Sequence, residues 1–147
     1  MIYQRYLKRF FDIILSALGI LILSWLFIII SIIIKCTSKG PIFFKQKRVG
    51  KDKSYFNILK FRTMRIDTPK DVPTHLLSNP EQYITLIGRF LRKTSLDELP
   101  QLFNIFMGDM AIVGPRPALW NQDDLIAERD KYQVNAIRPG LTGLAQV

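Results

Sequence analysis

A chain of 147 residues holds one modest domain, and its single cysteine, Cys36, excludes an internal disulfide. With His75 as the one histidine, a histidine-rich zinc site is excluded as well. The net charge of +9 is unevenly placed: residues 35–93 carry fourteen Lys or Arg against four Asp or Glu, and residues 94–147 carry four against seven. The basic zone fits an anionic lipid surface or a phosphorylated ligand, and positive-inside bias also accounts for many of its lysines.

Taken from the N-terminus, residues 13–34 are apolar or small apart from Ser16, Ser24 and Ser31. As a helix this run would be roughly 33 Å long, enough to cross a bilayer's hydrocarbon core. A cleaved signal peptide has a shorter apolar run and a small-x-small site after it, and a core helix has a polar face; neither pattern is present. Membrane insertion is therefore expected. Arg5, Lys8 and Arg9 precede the run and Lys35 and Lys39 follow it, so charge favours the cytoplasmic side at both ends and gives no orientation. A re-entrant helix satisfies both flanks and needs a break, for which Gly19 and Ser24 are the candidates. Asp12, at the boundary, is expected to pair with Arg9 or Lys8.

Gly40-Pro41 marks the exit from this segment. Residues 42–49 read as a strand, Gly50-Lys51-Asp52-Lys53 as a turn and residues 55–64 as a second strand, which predicts a hairpin. Residues 67–80, with Pro69, Pro73 and Pro80, read as a loop. Ile84, Ile87 and Leu91 have helical spacing, which brings Arg89, Arg92 and Lys93 to the end nearest Asp97-Glu98. Leu99, Leu102, Phe103 and Phe106 give a second helix closed by Gly108. Residues 121–132 give a third, with Asp123 and Asp124 early and Arg129 and Lys131 late, as the helix dipole favours. Pro139-Gly140 reads as a turn. The expected fold is α+β: a membrane-inserted, re-entrant helix with basic flanks over residues 1–36, then a small, mainly helical cytoplasmic domain with a short β-hairpin over residues 37–147.

Two places carry candidate chemistry. Ser95-x-x-Glu98 forms a capping-box pattern, and Pro100 cannot donate a backbone hydrogen bond, so a helix is expected to start at Asp97 or Glu98 with unpaired N–H groups beside both carboxylates. Capping and catalysis both account for this pair. Arg116 lies between Pro115 and Pro117, whose fixed φ presents a guanidinium from a rigid backbone, as bidentate phosphate recognition needs. No Pro-x-x-Pro spacing marks a polyproline ligand. Lys60 and Arg62, two apart on a strand, share a face and are further phosphate contacts. Walker-type and dinucleotide-type glycine patterns are absent. A basic membrane-tethered module for lipid or nucleic acid is the alternative of another class. It has no use for adjacent carboxylates, so no nucleic-acid partner is expected.

Several ordered motifs resemble the bacterial sugar transferase family, the monotopic polyprenyl-phosphate phosphoglycosyl transferases. They are Lys8-Arg9-Phe10-Phe11-Asp12; Gly40-Pro41-Ile42-Phe43-Phe44-Lys45-Gln46-x-Arg48-x-Gly50; Lys60-Phe61-Arg62-Thr63-Met64; Leu91-Arg92-Lys93-Thr94-Ser95-Leu96-Asp97-Glu98-Leu99-Pro100-Gln101-Leu102-x-Asn104; Gly108-Asp109-Met110; Val113-Gly114-Pro115-Arg116-Pro117; and Arg138-Pro139-Gly140-Leu141-Thr142-Gly143. The resemblance implies transfer of a phosphosugar from a UDP-sugar to undecaprenyl phosphate with release of UMP. That is the first membrane step of exopolysaccharide, capsule, O-antigen lipopolysaccharide or glycoprotein glycan synthesis, at the cytoplasmic face of the bacterial inner membrane. It further implies Asp97 as the nucleophile of an aspartyl-phosphosugar intermediate, Glu98 as its dyad partner, and Mg²⁺ as cofactor with Asp97 and Glu98 as its ligands. Lys60, Arg62, Arg92, Arg116 and Arg138 are the implied phosphate-binding cations. Where the family commonly has Ser-Pro at the bend of its re-entrant helix, this chain has Ser24-Trp25. Relatives also continue through an Asn-Gly-Arg motif, so the chain resembles a C-terminally truncated member with exposed apolar surface near residues 141–147. An inactive membrane-bound remnant is then the alternative to an enzyme.

Overall fold

The computed structural model describes residues 2–69 and 72–143. A π-helical turn, Tyr3–Leu7, runs into α1 (Lys8–Ile22), and after Leu23 the chain continues as α2 (Ser24–Thr37). The axis turns by 60° between them. Leu23, at φ −95° and ψ 5°, leaves helical geometry, while Ser24 Oγ donates to the Leu21 carbonyl at 2.8 Å and so supplies a local alternative to the helical ladder. The break thus falls between Gly19 and Ser24, as expected, and does so without a proline. Among the described residues no single helix is long and apolar enough to cross a membrane; the bent pair reaches that length only together.

Each helix of the pair packs one narrow face on the rest of the chain. On α1 that face is polar: Asp12 and Ser16, one turn apart, are buried. Asp12 Oδ1 accepts from the Ile112 amide at 3.1 Å and Oδ2 pairs with Lys8 at 3.5 Å. Lys8 is therefore the partner of Asp12, and Arg9 instead donates to the carbonyls of Ile105 and Phe106. On α2 the buried face is Ile30 and Ile34, which form a core with Phe61 and Leu91. The outer faces expose Leu15, Leu18, Leu21, Ile22, Trp25, Ile28 and Ile32.

β1 (Phe43–Val49) and β2 (Tyr55–Phe61) form the expected antiparallel hairpin, in register from Phe43 opposite Phe61 to Val49 opposite Tyr55. β2 ends earlier than the apolar run suggests, because Met64 leaves the hairpin to bridge Ile84. Of the expected loop, residues 67–69 and 72–79 are irregular apart from a single turn of 3₁₀ helix at Thr74–Leu76, and Pro80–Tyr83 forms another such turn. Helix α3 is Leu86–Thr94: Thr85 caps it by accepting from the Gly88 amide at 3.0 Å, so Ile84 stands outside the helix its spacing suggested.

Helix α4 (Gln101–Met107) ends at Gly108, whose φ of 104° is the left-handed C-cap expected of glycine. Arg9 serves the exposed carbonyl end of this helix, which α1 packs against. Helix α5 is Asp123–Lys131. A second sheet was not foreseen: β3 (Ala111–Val113) pairs in parallel with β4 (Gly140–Thr142). Pro139-Gly140 is accordingly not a turn but the entry to a strand. A Cβ at Gly140 would lie 2.0 Å from the Gly114 nitrogen, so only glycine admits this approach. Leu141 packs against the second core, Ile58, Ile105 and Met110, and contradicts the expected exposure at that residue; residues 144–147 lie outside the described residues.

Asn104 ties α4 to β2. It is fully buried, accepts from the Leu59 amide at 2.9 Å through Oδ1, and donates to the Asn57 carbonyl at 2.9 Å through Nδ2. Both groups lie on the β2 edge opposite β1, where an unpaired donor or acceptor would be costly. This fixes α4, and the turn before it, against the strand that carries Lys60.

Candidate active site

The Asp97-Glu98 pair sits on a single 3₁₀ turn, Leu96–Glu98, between α3 and α4. The capping box does not form. Ser95 has φ 58°, outside the extended region an N-cap needs, and its side chain makes no capping bond; α4 begins only at Gln101, with Pro100 before it. Glu98 instead turns to β2, where its Oε1 lies 3.1 Å from Lys60 Nζ. Asp97 is 9% exposed. Burial pushes its carboxyl above the usual carboxylate range; Lys60 and Arg92 oppose that rise and the Glu98 charge adds to it.

Above the pair opens a cleft of about 1160 Å³, lined among others by Asp97, Glu98, Lys60, Arg62, Arg92 and Arg116. Arg92 comes from the last turn of α3, and its Nε donates to Thr63 Oγ1 at 2.9 Å. Arg116 is exposed toward the cleft from the Pro115–Pro117 loop. Arg62, although part of the lining, is buried and donates to the carbonyls of Ser38 and Lys39 and to Ser38 Oγ, so its guanidinium holds the end of α2. Arg138 stands away from the cleft, its Nε donating to the Gly108 carbonyl at 3.0 Å.

Polar residues that line the cleft and were not among the expected site residues include Gln46 and Arg48 of β1 and Arg129 of α5. Gln46 and Arg48 share one face of β1, but Lys45 and Lys47 alternate with them, so polarity alone gave no local signal that singled them out. Arg48 donates through Nη2 to Gln46 Oε1 at 2.6 Å and through Nη1 to the Pro117 carbonyl at 3.0 Å. Burial, with the like charge of Arg116, lowers its pKa to about 10, against the attraction of Glu98.

Among the described residues no three His, Cys, Asp or Glu side chains cluster as a metal cage. Two adjacent carboxylates beside a cationic cleft fit Mg²⁺ nonetheless, because that ion is commonly held by one or two carboxylates together with substrate phosphate oxygens. Asp97 and Glu98 are the residues that would hold it.

The fold and this cleft define a small α+β domain built around a buried carboxylate that faces a concentration of guanidinium and ammonium groups. The model of the bacterial sugar transferase family matches residues 3–147, and the chain belongs to that family. It is 40% identical over 142 residues to a UDP-glucose:undecaprenyl-phosphate glucose-1-phosphate transferase of Klebsiella pneumoniae, a match covering 95% of this chain and 30% of that protein. It is 38% identical over 154 residues to the exopolysaccharide production protein ExoY of Sinorhizobium fredii, covering 95% of this chain and 68% of that protein. A relative from Caulobacter vibrioides with the same description as the first is 43% identical over 147 residues, covering 95% of this chain and 53% of that protein. The chain thus spans less than a third of the Klebsiella relative and about two thirds of the Sinorhizobium one.

Proposed function

We propose that the chain carries the catalytic machinery of a phosphoglycosyl transfer from a UDP-sugar to undecaprenyl phosphate, in the assembly of a bacterial exopolysaccharide or related glycan. The observation that carries this reading is the buried Asp97, set between Lys60 and Arg92 on the floor of the cationic cleft. A carboxylate held away from water and flanked by cations suits attack on phosphorus, where the cations bind the phosphate oxygens and offset the charge of the approaching nucleophile. In the first step an Asp97 oxygen bonds to the β-phosphorus and the bond from that phosphorus to the oxygen bridging the two phosphates breaks, so that UMP leaves. In the second, an oxygen of the lipid phosphate bonds to the same phosphorus and the Asp97–phosphorus bond breaks, which restores the carboxylate and forms a lipid diphosphate sugar. Mg²⁺ at Asp97 and Glu98 would neutralise part of the phosphate charge. The names of the Klebsiella and Caulobacter relatives point to the same donor and acceptor classes, and that of the Sinorhizobium relative to exopolysaccharide production. The test is UMP release from a panel of UDP-sugars, each with undecaprenyl phosphate and Mg²⁺. Release with one or more donors is expected, and none with any donor overturns the reading.

The acceptor's lipid chain requires a membrane, and the bent helix pair is its natural seat. Both ends of the pair are tied to the same domain: Arg9 and Asp12 at the start hold α4 and β3, and Ser38 and Lys39 at the end are held by Arg62. A straight span would separate these ends by the thickness of a bilayer. Arms of 15 and 14 residues bent by 60° and placed symmetrically reach only roughly 11 Å deep, within one leaflet. We therefore place both ends on the cytoplasmic face of the inner membrane. With Cys36 replaced, a single cysteine at position 2 or 3 should stay unlabelled by an impermeant reagent applied to intact cells. Strong labelling there would mean that the segment spans.

A further inference from the structure

The cleft offers one residue whose placement is costly and which bonds directly to the loop that carries another. Arg48 has two of its nitrogens bonded, one to the Pro117 carbonyl at 3.0 Å and one to Gln46 Oε1 at 2.6 Å, while its Nε is buried with no acceptor. Beside it stands a like charge, Arg116. A desolvated guanidinium with an orphan N–H next to another cation is a poor device for stabilising a fold. The backbone around it explains the choice. Val49 N donates to the Ala118 carbonyl at 2.9 Å, and Arg48 and Leu119 form an antiparallel bridge, so the end of β1 runs on into the loop. On the other side, Gly140 N donates to the Pro115 carbonyl at 2.9 Å. The two prolines that flank Arg116 are therefore each held through their own carbonyl, one by Gly140 and one by Arg48. Their ring-fixed φ angles leave Arg116 little backbone freedom between these anchors.

We infer that Arg48 is a positioning residue: it clamps the Pro115–Pro117 loop so that Arg116 meets the donor's diphosphate at a fixed place. The statement about the donor rests on the reading of the cleft under Proposed function; the statement about the clamp does not. Arginine is required because its planar fork reaches two acceptors at once, whereas a lysine satisfies one at a time. Arg48 itself need not touch the ligand.

The test uses four full-length proteins: wild type, Arg48→Lys, Arg116→Ala and the double variant. Two readouts apply, the dissociation constant of UDP by calorimetry and amide exchange of residues 112–122. In Arg48→Lys, exchange in this segment should rise while the melting temperature stays within about 2 °C of wild type. UDP affinity should fall about tenfold in Arg48→Lys, and the double variant should bind no worse than Arg116→Ala alone, since a clamp has nothing to position once Arg116 is gone. Multiplicative losses in the double variant would overturn the inference, because Arg48 would then act on the ligand independently. Unchanged exchange in 112–122 would overturn it too, as would exchange that rises uniformly along the chain with a large fall in melting temperature. A wild type that does not bind UDP would sink the donor-site reading, and the exchange measurement would still decide whether Arg48 holds the loop.

Discussion

Asp97→Asn is expected to abolish UMP release, by a factor on the order of 10⁴ or more, in the absence of the lipid acceptor as well as in its presence. The amide matches the carboxylate in shape but offers no nucleophilic oxygen anion, so the loss falls on the first half-reaction. Intact-protein mass spectrometry after incubation with UDP-sugar and Mg²⁺ alone should show a phosphosugar adduct on the wild type and none on the variant. An adduct on Asp97→Asn, or none on an active wild type, would sink the assignment. Stability should move the other way. Burial raises the Asp97 pKa above its unfolded value. The folded state therefore binds the proton more readily than the unfolded chain, and ionisation of this group makes the fold less stable as pH rises from the unfolded to the folded pKa. At neutral pH the neutral Asn escapes that cost. The variant should melt no lower than wild type, and this separates a lost nucleophile from a lost fold.

Glu98 differs from its neighbour because it faces Lys60 and is less buried. Adjacent positions in a tight helical turn diverge by about 100° or more, so the two carboxylates cannot approach one phosphorus equivalently. The sequence could place this pair beside cations, but it could not show which carboxylate was desolvated. That depends on Ser95, whose left-handed φ of 58° ends α3 and turns the chain into the Leu96–Glu98 turn, a conformation the Ser-x-x-Glu pattern does not show.

What was legible follows from the length of each signal. The apolar run 13–34, the hairpin and the helices around Leu91, Phe103 and residues 121–132 each extend over enough residues for a period to be seen. The parallel pair β3–β4 is three residues on three, separated by 26 residues, and such a signal has no period. In the site, Lys60, Arg92 and Arg116 line the cleft, whereas Arg62 was grouped with them by its alternation with Lys60 on a strand and Arg138 by the family resemblance. Their partners are backbone carbonyls at the ends of α2 and α4, which are visible only after the chain has folded. Arg48 was passed over for the converse reason: nothing local distinguishes it from Lys45 or Lys47, and its importance comes from a loop some seventy residues away.

Lys60→Met should combine a lost phosphate contact with a shifted nucleophile. Lys60 is the strongest of the charges that hold the Asp97 carboxyl down against the effect of burial, and it also pairs with Glu98 at 3.1 Å. Without it the Asp97 pKa rises further, so ionisation of the carboxyl needs a higher pH than in the wild type. Single-turnover UMP release should therefore fall about 10²- to 10³-fold near neutrality. If Asp97 is the nucleophile, the acid limb of the profile should follow its ionisation and move to higher pH in the variant, because the carboxyl then needs a more basic solution to lose its proton. Part of the rate then returns as pH is raised, and the remaining deficit measures the contact to phosphate. Lys60→Arg keeps the charge near Asp97 and should leave the limb close to its wild-type position even if the rate falls, since a guanidinium does not reproduce the point contact of an ammonium. A pH profile of Lys60→Met that drops without moving its limb would show that Lys60 binds substrate but does not set the ionisation of Asp97.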